Sequence, residues 1–160
     1  MEKLKVGILG ATGMVGQRYI ALLENHPWFE VTLVAASPRS AGKKYSEATL
    51  GRWQMVTPIP TSVCDLIVKD ANIVEDIASE VDFVFSAVEL EKELIRELEM
   101  KYARNNTPVV SNCSAHRGTE DVPMLIPEIN HSHLDIIQVQ QENRKLTKGF
   151  VLVKPNCSLQ

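Results

Sequence analysis

The 160-residue sequence predicts an α/β fold built on a largely parallel sheet, and three observations carry that prediction. Short apolar runs alternate with stretches of helical periodicity, the order that stacks helices on the faces of a parallel sheet. A glycine-rich turn of the form GxxGxxG joins the first apolar run directly to the first helical stretch. The composition, 44% apolar and 23% charged with no internal repeat, is that of one globular domain able to bury a core.

The elements follow in order. The first strand is Leu4–Leu9 (LKVGIL). A helix is expected over residues 14–25, with Val15, Tyr19, Leu22 and Leu23 on one face. His26-Pro27 ends it, because a residue before proline avoids the helical region; His26 then sits near the C-terminal end of the helix dipole. A second strand is expected over residues 31–36. Residues 37–62, rich in Gly, Pro and Ser, read as loop with one helical turn. Residues 66–68 and 82–87 read as strands. Leu90, Leu94, Leu98 and Tyr102 recur every four residues and predict an amphipathic helix over residues 89–104. Its charge run from Glu89 to Glu99 is expected to be a solvated face. Residues 109–110, 124–126 and 150–153 complete the strands, and residues 132–141 read as helical.

Gly10, Gly13 and Gly16 have a physical division of labour. The first permits the tight turn, the second lets backbone approach a pyrophosphate, and the third lets helix pack close to strand. In this strand–turn–helix context they predict a Rossmann-like, doubly wound nucleotide-binding fold; the alternative is a tight turn without a ligand. The end of the second strand selects the cofactor. Ala35-Ala36 is followed by Ser37-Pro38-Arg39-Ser40-Ala41-Gly42-Lys43-Lys44, with no carboxylate to meet a ribose 2′-hydroxyl. Arg39 and the two serines suit a 2′-phosphate, so NADP(H) is expected; the alternative is a solvated basic loop.

A net charge of -3 with interspersed signs favours neither nucleic acid nor a membrane surface as partner. No apolar run is long enough to span a bilayer, and MEKLKVGILG does not read as a signal peptide. The three cysteines are widely spaced without CxxC pairs, which suggests neither disulfides nor zinc and makes a cytoplasmic location the expectation. His131 and His133, two apart, would face different sides of a helix, so no metal is expected.

With GATGMVGQ, AASPRSAGKKY, FSA, SNCSAHR, DVPMLIPEIN and PNCS in that order, the chain resembles aspartate-semialdehyde dehydrogenase, in particular its archaeal and fungal branch. The resemblance covers essentially all 160 residues. Malonyl-CoA and succinyl-CoA reductases share this framework, and Gly51-Arg52-Trp53-Gln54 is similar to theirs. The resemblance implies Gly10, Thr12, Gly13, Met14 and Val15 on the cofactor diphosphate, and Ser37, Arg39 and Ser40 around the 2′-phosphate. It also implies Ser86 and Ala87 near the nicotinamide ribose, and Asn112 and Arg117 on substrate phosphate or inorganic phosphate. Cys157 of PNCS matches the family's nucleophile, with Asn156 beside it.

The implied chemistry accounts for those residue types. A thiolate attacks an acyl phosphate, phosphate leaves, and NADPH reduces the resulting enzyme thioester to the aldehyde. Such a thiol needs a lowered pKa, and an arginine fork suits phosphate. Cys113 stands where the family usually has alanine and reads as a small packing residue; Cys64 reads as structural. Gly118 and Leu159 depart from the family's pattern. By resemblance, residues 1–153 are the NADP-binding domain and 154–160 begin a catalytic and dimerisation domain. The general base, a substrate-carboxylate arginine and most of the surface of a homodimer or homotetramer would belong to that second domain. The chain is therefore expected to be the N-terminal half of an enzyme and inactive alone. A nucleotide-binding module without catalysis is the alternative from another class.

Overall fold

The computed structural model of the chain describes residues 2–156. Six strands form one parallel sheet: β1 (Leu4–Leu9), β2 (Phe29–Ala36), β3 (Lys69–Asp70), β4 (Phe83–Ser86), β5 (Val109–Ser111) and β6 (Val151–Val153). Their spatial order is β3-β2-β1-β4-β5-β6, so the chain winds outward from β1 in one direction and then returns to wind outward in the other. This is the doubly wound topology expected from the alternating pattern, and its reversal point lies between β1 and β4.

Helices cover both faces. Helix α1 (Met14–Leu23) and the short helices α2 (Tyr45–Ala48) and α3 (Thr61–Cys64) pack on the face bearing Val6, Ile8 and Val34. Helices α4 (Val74–Ala78) and α5 (Lys92–Arg104) cover the opposite face, bearing Leu9, Leu33 and Val84. The register slips between Val6 and Gly7, pairing them with Val31 and Leu33. That bulge at Thr32 is why Val31 and Val34 share a face despite their odd spacing. Phe83 and Phe85 of β4 turn toward α1, where Phe85 stacks on Tyr19 with ring centroids 4.5 Å apart. Beyond β5 the chain runs through α6 (Pro127–Asn130), a 3-10 turn (His131–Asp135) and α7 (Ile136–Arg144) before β6.

Several expectations are corrected. Helix α1 ends at Leu23, with Asn25 in the left-handed region at φ 56°. Its buried face is Gly16, Gln17 and Ile20, while Val15 and Leu22 are exposed. Gly16 sets that orientation: a Cβ there would lie 2.2 Å from the Gly10 carbonyl oxygen, so this side must face the turn. In α5 the strict four-residue repeat drifts off a 3.6-residue helix. Leu90 and Leu94 are exposed, and the buried stripe is Ile95, Leu98, Glu99 and Tyr102. Glu99 is therefore core, not solvated face, at 0% exposure.

Residues 66–68 do not join the sheet. Tyr45 N–H donates to Leu66 O at 2.8 Å and Val68 N–H to Lys43 O at 2.9 Å, so the preceding loop takes up their backbone groups. Residues 124–126 make only a single bridge to β6, with Leu125 N–H donating to Val153 O at 2.9 Å. The flanking Pro123 and Pro127 lack the N–H groups that a longer ladder needs. Helix α4 and the second short helix, α3, had no clear sequence signal.

Candidate active site: a dinucleotide cleft and an adjoining polar corner

The chemistry-bearing residues gather at the carboxyl ends of the strands, outside the sheet's reversal point, where ligands of open α/β sheets bind. A cleft of about 300 Å³ opens there, lined on one side by Gly10, Thr12 and Gly13 and on another by Ser37 and Pro38. Gly10 has φ 78°, and a Cβ on it would meet the Ala87 carbonyl oxygen at 2.3 Å. The turn thus presses against the end of β4, and only glycine fits. Gly13, the residue before α1, differs. A Cβ there would meet nothing closer than Gly10 O at 3.5 Å and Glu89 Oε1 at 3.9 Å. The protein itself does not require glycine at 13; the open space faces the cleft, at the N-terminus of a ten-residue helix. That arrangement fits close approach of a phosphate to backbone N–H groups.

The expected cofactor residues divide. Gly10, Thr12, Gly13, Ser37 and Ala87 line the cleft. Met14 and Val15 are exposed on the first turn of α1. Arg39 is exposed beyond the end of β2, and Ser40 is buried, its N–H donating to Ser37 O at 2.9 Å. The Ser86 side chain does not line the cleft. It is wholly buried on the α5 side, with Oγ 3.8 Å from Cys113 Sγ.

Three polar residues of the cleft were not among the expected site residues: Arg52, Asn72 and Glu89. Arg52 sits in a stretch with no regular periodicity, and Asn72 follows a two-residue strand, so neither carried a pattern. Behind the glycine turn, two buried side chains tie it to the 45–54 segment. Tyr45 Oη donates to Ala11 O at 2.8 Å. Gln17 Nε2 donates to Thr12 O and Arg52 O at 3.0 and 2.9 Å, while its Oε1 accepts from Gln54 N–H at 2.9 Å.

A polar corner adjoins the cleft at β5 and β6. Asn112 N–H donates to Ser86 O at 2.8 Å, and Lys154 N–H to Ser111 O at 3.0 Å. Arg117 bridges the two strand ends: Nε donates to Lys154 O and Nη2 to Asn112 O, each at 3.1 Å. Asn112, Arg117 and the chain entering Pro155-Asn156 therefore come together, with Asn156 exposed. Cys157 lies outside the described residues.

Beneath this corner is a buried cluster. Ser111 Oγ donates to Glu99 Oε1 at 2.6 Å and accepts from Cys113 N–H at 3.0 Å. Burial raises the Glu99 carboxyl above the usual range, against the opposing pull of Ser111, Ser86 and Cys113. Burial first, and then Glu99, push the Cys113 thiol up to about 11. A thiol so held is a poor nucleophile at neutral pH, in keeping with packing. Cys64 is half-buried, with Sγ 3.7 Å from Ile59 O. Among the described residues no cluster of three or more His, Cys, Asp or Glu could hold a metal ion, and no helix is long and apolar enough to cross a membrane.

Known proteins resemble this chain in sequence and in fold. The chain is 45% identical over 158 residues to aspartate-semialdehyde dehydrogenase of Archaeoglobus fulgidus, covering 98% of this chain and 43% of that protein. The corresponding enzyme of Methanothermobacter thermautotrophicus is 46% identical over 155 residues, with 97% and 42% covered. A crystal structure of aspartate-semialdehyde dehydrogenase with NADP from Candida albicans superposes with a TM-score of 0.84 at 37% identity, covering 98% of this chain and 44% of that one. The chain thus spans under half the length of these relatives. The family model described as semialdehyde dehydrogenase, NAD binding domain, matches residues 5–137, and the chain belongs to that family.

Proposed function

We propose that this chain is the NADP(H)-binding part of an aspartate-semialdehyde dehydrogenase. In the complete protein it would serve the reversible, phosphate-dependent conversion of L-4-aspartyl phosphate to L-aspartate 4-semialdehyde. The observation that carries the reading is the meeting, at the carboxyl ends of the strands, of the glycine-turn cleft with the Asn112–Arg117 corner that leads into Pro155-Asn156. The identity to the archaeal enzymes across almost the whole chain supports the substrate.

The space before Gly13 and the cleft walls fit a dinucleotide. Gly10, Thr12 and Gly13 would hold its diphosphate and Ser37 its adenosine ribose, with Arg39 reaching a 2′-phosphate and Ala87 against the nicotinamide ribose. When bound, NADP(H) supplies or accepts the hydride. Arg117, its guanidinium steered by two backbone carbonyls, would orient a phosphate group together with Asn112. Cys157 would attack the acyl carbon and carry the acyl group as a thioester, with Asn156 beside it. Residues 1–153 would form the cofactor domain and 154–160 the start of the catalytic and dimerisation domain.

The test is turnover by the full-length protein. Aspartate semialdehyde, NADP+ and inorganic phosphate should give NADPH, and Cys157→Ser should abolish it. The 160-residue chain alone should bind NADP(H) without turnover. Turnover that requires coenzyme A in place of phosphate would replace the acyl-phosphate reading.

A further inference from the structure

Arg52 is the one cationic residue among the described residues that line the cleft. Glu89 lines the same cleft, its Oε1 only 3.9 Å from where a Cβ on Gly13 would stand. A diphosphate entering beside Gly13 therefore meets a carboxylate at close range, and the glycine turn offers only backbone N–H groups to offset it. Arg52 has no ion-pair partner among the described residues, while four other basic side chains do. Its Nη2 donates to Ala48 O at the C-terminal end of α2, which restricts the side chain.

The backbone of Arg52 is fixed to the glycine turn and not to the end of β2. Gln17, 1% exposed, joins Arg52 O to Thr12 O through a single Nε2 and holds Gln54 N–H with its Oε1. That placement puts Arg52 on the diphosphate side of the cleft, whereas Arg39 stands beyond Ser37 on the adenosine side.

We propose that Arg52 pairs with the diphosphate of the bound dinucleotide, a role distinct from that of Arg39 at the 2′-phosphate. The proposal rests on the dinucleotide reading of the cleft. Its signature follows from what NAD+ and NADP+ share. Both carry the diphosphate, and only NADP+ carries the 2′-phosphate, so the two arginines should affect the two cofactors differently.

The experiment is calorimetric titration of the full chain with NADP+ and with NAD+, on wild type, Arg52→Ala, Arg52→Gln and Arg39→Ala, with circular dichroism as the control for folding. The glutamine variant can still donate toward Ala48 O, so it keeps the local fold if alanine does not. Both Arg52 variants should weaken NAD+ and NADP+ by the same factor, about tenfold or more, the scale of a lost charge-assisted hydrogen bond. Arg39→Ala should weaken NADP+ alone. Unchanged affinities in folded Arg52 variants, or a loss confined to NADP+, would overturn the assignment. If wild type binds neither cofactor, the dinucleotide reading itself falls and takes this proposal with it.

Discussion

Glu99 and Gly13 show how single residues divide between core and cleft. The Glu99 carboxyl is buried under Ser86, Ser111 and Cys113, and its Oε2 has no hydrogen-bond partner among the described residues. Its pKa in the fold is raised above the 4.5 of a free glutamate. Above pH 4.5 the unfolded chain gives up this proton while the folded chain keeps it, so rising pH favours unfolding until the folded-state pKa is passed. Glu99→Gln removes that term and should be more stable than wild type at pH 7, with the advantage shrinking toward pH 4.5; urea melts at several pH values check this. A variant whose deficit against wild type grows as pH rises would mean that the carboxyl is ionised and needed. For the glycines, Gly16→Ala should cost about 1–3 kcal/mol from its clash with the Gly10 carbonyl. Gly13→Ala should change stability by less than about 1 kcal/mol, yet weaken NADP+ binding about tenfold by filling the space a phosphate needs. Thermal melts and titrations on the same samples separate the two effects.

At the scale of elements, the outermost strand beside the polar corner is tied to one helix as well as to β5. Gln140 of α7, 0% exposed, donates through Nε2 to Asp121 O and Val151 O at 2.8 and 2.9 Å and accepts from Val151 N–H at 2.7 Å. Arg144 adds a two-pronged pair to Asp121, 2.7 Å on each side. Gln140→Ala strands buried backbone groups and should cost roughly 2–4 kcal/mol in chemical denaturation, with faster amide exchange at Val151 and Val153 than elsewhere in the sheet. The Arg144 pair holds the Asp121 carboxyl below the usual range, so its contribution should be lost as pH falls below 3.8. The sequence reads as helical over residues 132–141, but nothing in it marks Gln140 or Arg144 as the link to this strand. What was legible had periodicity behind it: β1, α1 and the outline of α5 follow from apolar spacing and the glycine turn. Where apolar spacing competed with local geometry, geometry won. Leu90 and Leu94 obey a four-residue repeat that the helix does not follow, and Leu66 to Val68 spend their backbone groups on a loop.

For the molecule as a whole, the parallel sheet turns sequence-distant segments into one functional edge. Gly10, Ser37, Ala87, Asn112 and Lys154 each follow the end of a different strand. The glycine turn and the SNCSAHR segment could each be read locally, but Arg52, Asn72 and Glu89 reach the cleft only through the winding that brings their loops to it. On the proposed reading, residues after the first, second and fourth strands form one dinucleotide site at this edge. Its most direct test is an amide-resolved NMR titration of the chain with NADPH. The expected result is a set of saturable shifts shared by Gly10, Thr12, Gly13, Ser37 and Ala87, at lower NADPH than NADH concentration. Shifts that never saturate, or that cluster away from those five amides, would contradict it.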